Sequence, residues 1–154
     1  MKILGIDPGS ARIGFGLIKK DKNLELLDYG VMEVANNDLL VLAEQFDNLL
    51  KRQRPDLIAI EKLYFAKNRK TALSVAQSRG VLILKIRENK IKMAEYNPME
   101  VKQSVTGYGL ADKKAVAMMV KKILNLQELK GHDDASDALA IAITAAGDLK
   151  FKNG

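Results

Sequence analysis

Apolar positions along the chain fall into short runs, period-two alternations and three-and-four spacings, which separate strands from helices. Ile3, Leu4 and Ile6 form a buried-strand run that ends on Asp7, and Pro8-Gly9-Ser10 is turn chemistry. From Arg12 to Ile18, Ile13, Phe15 and Leu17 alternate with Gly14, Gly16 and Ile18, the pattern of a strand returning beside the first. Leu24 to Val34 reads as a third strand after a turn at Lys20 to Asn23. Asn36-Asn37-Asp38 offers helix N-caps, and Leu39, Leu42, Ala43, Phe46, Leu49 and Leu50 follow at helical spacing until Arg54-Pro55-Asp56. Leu57 to Ile60 is wholly apolar and closes on Glu61, the second strand-like run to end on an acid.

Beyond Glu61 the segment KLYFAKNRK reads as a loop. Thr71 to Arg87 reads as a long helix whose second half, Val81 to Ile86, is apolar nearly all round. A helix without a solvent face is buried on two sides, and in so small a protein the second side is expected to be another subunit. Leu82 is the first candidate for that contact, with Ile83 and Ile86 as alternatives in register. Ile91 to Tyr96 reads as the last strand and Pro98 to Ser104 as a short helix. Gly107-Tyr108-Gly109 reads as a turn, and Asp112 as the N-cap of a helix running to Leu124. The final helix begins at His132 to Asp137 and continues through ALAIAITAA, whose small residues let it lie close on a sheet. Neither linker nor repeat interrupts this order, so a single α/β domain over residues 1–154 is expected.

Composition narrows the function. The 154 residues are 47% hydrophobic, enough for a real core. No run approaches a membrane span, and the opening residues lack a secretory layout, so a cytoplasmic location is expected. Cysteine is absent, which excludes disulfides and thiolate metal sites. The net charge of +6 and pI near 9.4 favour a polyanionic partner, with plain solubility as the ordinary alternative.

The acids carry the chemistry. Asp134 and Asp137 are three apart and share a helix face, but Asp133 with Asp137 is geometrically as plausible. Helix capping competes for Asp133 and Asp134, and turn stabilisation for Asp7. Glu61 has no such ordinary reading, because strand chemistry does not favour glutamate after four apolar residues. Two strand ends and one helix start can bring these carboxylates together. Hard cations such as Mg²⁺ take oxygen ligands completed by substrate phosphates, and a pair of ions can drive an in-line phosphodiester displacement. Basic charge around an acidic pocket is the pattern of a nuclease.

Four separated motifs closely resemble the RuvC family: Met1 to Ile18 around GIDPG, IAIEK at Ile58 to Lys62, VKQSVTG at Val101 to Gly107, and DDASDALAIAI at Asp133 to Ile143. These are bacterial Holliday junction resolvases. The resemblance spans essentially the whole chain and implies an RNase H-like fold, a mixed five-stranded sheet flanked by helices. It implies a homodimeric endonuclease using Mg²⁺, two ions per site with Mn²⁺ able to substitute. Such an enzyme cuts two strands of like polarity symmetrically across four-way junction DNA, beside the RuvA–RuvB branch-migration complex. Motif by motif, the family's acids fall on Asp7, Glu61, Asp134 and Asp137, as catalytic groups and metal ligands. Its loop aromatic falls on Tyr64, where phenylalanine is common, and its lysines on Lys102 and Lys113. The family's active-site histidine, where present, matches Asp134, which leaves His132 as a helix-start residue.

Among the other basic residues, Lys19, Lys20 and Lys22 at a hairpin tip and Lys51, Arg52 and Arg54 at a helix end read as solvated charge. Lys113-Lys114 and Lys121-Lys122 read as a wet helix face. Lys62, Lys67, Arg69 and Lys70 differ because they flank Tyr64-Phe65 just past Glu61, and aromatics in a basic loop can stack on bases. A core role competes for Phe65. Rival readings are an actin–hexokinase-type ATPase, for which 154 residues are too few, a catalytically silent junction-binding protein, and a nuclease acting on RNA or hybrids.

Overall fold

A computed structural model describes residues 1–63, 69–131 and 133–152. Strands β1 (Lys2–Asp7), β2 (Arg12–Lys20), β3 (Leu24–Glu33), β4 (Leu57–Glu61) and β5 (Lys92–Tyr96) form one sheet in the order β3-β2-β1-β4-β5. The first three pair antiparallel, while β4 runs parallel to β1 and β5 parallel to β4. The helices are α1 (Leu39–Gln53), α2 (Arg69–Glu88), α3 (Pro98–Thr106), α4 (Lys113–Ile123) and α5 (Asp133–Lys152).

Side chains alternate across a strand, and that alternation assigns the two faces of the sheet. Leu4 and Ile6 of β1, with Ile58 and Ile60 of β4, pack with Phe46 of α1 and Leu82 of α2. Ile3, Leu57 and Ala59 lie in the other core, with Val101 of α3, Val116 of α4 and Leu139 of α5. Asp7 and Glu61 continue the second set by period two. They stand at the carboxyl ends of neighbouring parallel strands, on the face that α5 covers.

Glycine lets α5 come down onto the strands. A Cβ on Gly5 would stand 2.0 Å from the carbonyl oxygen of Ala138 and 2.8 Å from the amide of Ala142. A Cβ on Gly14 would stand 2.1 Å from the carbonyl oxygen of Asp134. Gly14 pairs across the hairpin with Asp7, so the same missing side chain admits the start of α5 beside the end of β1.

Several sequence readings are corrected. Asp38 alone caps α1, through amides of Leu40 and Val41, whereas Asn36 and Asn37 sit in left-handed backbone in a short 3-10 turn. Lys20 is not merely solvated: its Nζ donates to the carbonyl oxygen of Ala146 at 2.7 Å. The apolar half of α2 has a clear polarity. Leu82 and Ile86 are fully buried in their own core, while Leu84 is 56% and Leu73 72% exposed. Leu82 and Ile86 therefore cannot be contacts for a partner subunit.

Candidate active site

The parallel pairing of β1 and β4, with Ile6 beside Ile60, brings the strand-terminal Asp7 and Glu61 together. The first turn of α5 adds Asp134 and Asp137, which share a helix face by their spacing. One carboxylate oxygen each from Asp7, Asp134 and Asp137 lie within 4.8 Å of one another, a spacing that a divalent cation can bridge. Glu61 stands outside that trio but beside Asp7, close enough for a protonated Asp7 to donate a hydrogen bond to it. Asp133 is exposed and outside the trio, whereas Asp134 is within it.

Electrostatics follow from this crowding. Burial, and then the neighbouring Glu61, push the Asp7 carboxyl well above the usual carboxylate range, and Asp137 and Asp134 add to the effect. Burial also raises Asp137, opposed by Lys113. Lys113 Nζ lies 3.6 Å from Asp137 Oδ2, and that carboxylate raises the lysine in turn. Carboxylates held this close without a cation repel one another, and a bound cation relieves the repulsion. The donor set, all oxygen and partly buried, suits a hard divalent cation.

The acids line a cleft of about 300 Å³ that also includes Lys102, Lys113, Thr71 and Arg79. Lys102 comes from α3 and Lys113 from the start of α4, so both motif lysines reach it. Arg69 is exposed at the first position of α2. Tyr64, Phe65, Lys67 and His132 lie outside the described residues.

Two arginines at the site were not singled out from sequence. Arg12 Nε lies 3.5 Å from Asp134 Oδ2. Arg79 Nε donates to the carbonyl oxygen of Glu61 at 3.0 Å, and its Nη2 pairs with Glu95, tying α2 to the ends of β4 and β5. Its partners are 18 and 16 residues away in sequence, and no local spacing marks that contact. For Arg12 a faint signal existed: an arginine just across the Pro8-Gly9-Ser10 turn from the expected site acid Asp7.

A mixed sheet of this order, with carboxylates on the ends of its two central parallel strands and on the helix crossing them, defines a nuclease of the RNase H-like fold. The family profile described as "Crossover junction endodeoxyribonuclease RuvC" matches residues 3–145. A curated relative of that name from Fusobacterium nucleatum is 44% identical over 158 aligned positions, covering 99% of this chain and 83% of its own. The structure of Thermus thermophilus RuvC superposes with a TM-score of 0.88 at 30% identity, over 99% of this chain and 97% of that one. A second T. thermophilus RuvC structure, in complex with a Holliday junction substrate, gives 0.86 at 28% identity over 98% and 96%. The chain belongs to the RuvC family.

Proposed function

We propose that this chain, as one nuclease domain over residues 1–154, is a metal-dependent endonuclease that resolves four-way DNA junctions in recombination and repair. The observation that carries the reading is the carboxylate trio of Asp7, Asp134 and Asp137, with Glu61 adjoining, in a member of the RuvC family. These four acids are the proposed metal ligands and catalytic groups. A pair of Mg²⁺ ions, with Mn²⁺ as a substitute, would supply water activation and charge neutralisation there. The acids fix where a scissile phosphate can sit, and their own charge repels that one phosphate until cations are present, while the lysines can still hold its neighbours. Lys102 and Lys113, which line the same cleft, hold flanking phosphates. Arg69, Lys67 and Tyr64 are proposed to contact DNA, the aromatic by stacking.

The test is a substrate panel. Purified protein with Mg²⁺ should cut a synthetic four-way junction and spare linear duplex and an RNA–DNA hybrid of the same sequence. Preferential cutting of the hybrid would move the enzyme to an RNA-directed role.

The lysines are separable from the acids by salt. Lys102→Ala and Lys113→Ala should each flatten the slope of log affinity against log salt by about one unit, the value of one lost phosphate contact. Lys113→Ala should additionally slow single-turnover cutting, because its ammonium lies beside Asp137. Fluorescence anisotropy across a salt series measures the first effect and single-turnover gels the second.

The proposed dimer uses the outer face of α2. Leu73, Gln77, Gly80 and Leu84 repeat at helical spacing and are all exposed, and Gly80 has open space above it. An isologous two-fold contact pairs such a patch with itself and sets two sites to work on one junction. Leu84→Glu should shift a micromolar sample from dimer to monomer in sedimentation, with little change in thermal unfolding. Leu82→Glu should instead unfold the chain, since a charge would enter its core. A dimeric Leu84→Glu variant would contradict this interface. RuvA–RuvB is the proposed machinery beside which the dimer works.

A further inference from the structure

The turn between α3 and α4 displays large apolar side chains on a hydrogen-bonded backbone. Tyr108 is 60% exposed, Leu110 68%, and Met99 59%. Met99 adjoins the turn, since a Cβ on Gly109 would stand 3.0 Å from its Cγ. Apolar side chains left in water on one short turn are candidates for a contact surface.

The bracing is built from side chains and turn geometry. Gly107 takes φ +80°, a conformation that favours glycine, and its carbonyl oxygen accepts from Gln103 Nε2 at 3.0 Å. Thr106 Oγ1 accepts from the amide of Tyr108 and lies within bonding distance of its carbonyl oxygen, both at 3.0 Å. The amide of Ala111 also donates to that carbonyl, at 3.1 Å. A backbone fixed in advance loses little freedom on binding, so the side chains it carries are preorganised.

Location and charge say what the turn meets. It joins the helix that places Lys102 in the cleft to the helix that places Lys113 there. Tyr108 stands five residues before Lys113 along the chain, a span of at most ~18 Å and shorter than one ~34 Å duplex turn, so one duplex is long enough to touch both. The nearby acids face helix N-termini: Asp112 caps α4, and Glu100 closes the capping box of α3. Exposed Lys114 joins the two cleft lysines as the surrounding positive charge.

We propose that this turn is a second DNA-contacting element, in which Tyr108 stacks on a base exposed where strands exchange and Leu110 and Met99 pack beside it. The proposal rests on the junction-binding reading above. It places an aromatic in the turn between the two helices that carry Lys102 and Lys113.

The test uses four-way junctions carrying 2-aminopurine at single positions around the crossover, in EDTA so that nothing is cut. Tyr108→Ala should weaken junction binding by roughly 5- to 150-fold, the range for one lost base stack, with an unchanged salt slope because no phosphate contact is lost. Tyr108→Phe keeps the stacking face and should bind within about twofold of the parent. At one probe position, the parent and Tyr108→Phe should quench 2-aminopurine and Tyr108→Ala should not. Thermal unfolding should match in all three, since the ring is exposed. Parental affinity and quenching in Tyr108→Ala would overturn the proposal and leave the turn as a protein-contact surface. A loss shared equally by Tyr108→Phe would overturn stacking. Failure of the parent itself to bind junctions would overturn the resolvase reading and this proposal with it.

Discussion

Asp7→Asn should leave a protein that binds four-way junctions without metal at least as tightly as the parent but cuts them at below roughly a thousandth of its rate. That scale is typical when a group stabilising transition-state charge is lost. Asparagine keeps the size and hydrogen-bonding capacity of the side chain while removing a charge from the trio of Asp7, Asp134 and Asp137. The lost charge repelled phosphate, so metal-free affinity does not fall. Stability should rise at neutral pH, because in the parent that buried carboxylate must ionise against its neighbours. In a chain of this size, each ~1 kcal/mol regained lifts Tm by roughly 2–4 °C.

The same crowding sets a pH dependence. Asp7 has a raised pKa in the folded state, so over the window above its unfolded value of about 3.9 the native protein holds a proton that the unfolded chain has released. Stability of the metal-free parent should therefore be greatest below that window and fall as pH rises through the folded pKa. Asp137, also raised, contributes in the same direction. Asp7→Asn should flatten the decline, leaving the part due to Asp137. Denaturant titrations between acid and neutral pH measure both slopes.

Gly14→Ala should damage cutting more than folding. The new methyl would meet the carbonyl oxygen of Asp134 at 2.1 Å, and that obstacle is backbone, so the start of α5 must lift. Overpacking of this kind costs about 1–3 kcal/mol, which a domain can survive. A shift of ~1 Å in a catalytic group, however, can cost about 10²-fold in rate. Asp134, and Asp137 one turn on in the same helix, would move away from Asp7, and single-turnover cleavage should fall by about that factor at a given Mg²⁺ concentration. Gly5→Ala offers the contrast, because its methyl would strike the middle of α5 between Ala138 and Ala142 and should lower Tm further. If Gly14→Ala cut at the parental rate, the close seating of α5 would not be what sets the acid cluster.

Much of this site was legible because its signals are local. An apolar run ending on an acid is visible twice, at Asp7 and Glu61, and strand alternation then fixes which face each acid serves. The small-residue helix after Asp137 announced a close approach, and α5 does lie on Gly5 and Gly14. What was illegible depends on contacts between distant segments. Helix spacing alone gave no choice between Asp133 and Asp134; that choice needed the position of β1. Gly14 and Gly16 read as strand alternation, and their reason emerged only once α5 was laid across them. An all-apolar stretch does not disclose which side faces its own core, so Leu82 was taken for a partner contact although it is wholly buried and Leu84 is the exposed one. Arg79 joins three elements at once and left no pattern in the sequence.

The most direct measurement labels each of the four strands of a synthetic junction in turn and maps cuts by the unmutated protein with Mg²⁺ and with EDTA. The account predicts paired cuts at symmetric positions on two strands of like polarity, close to the crossover, present with Mg²⁺ and absent with EDTA. Cutting that persists in EDTA, or that scatters along the duplex arms without symmetry, would contradict it.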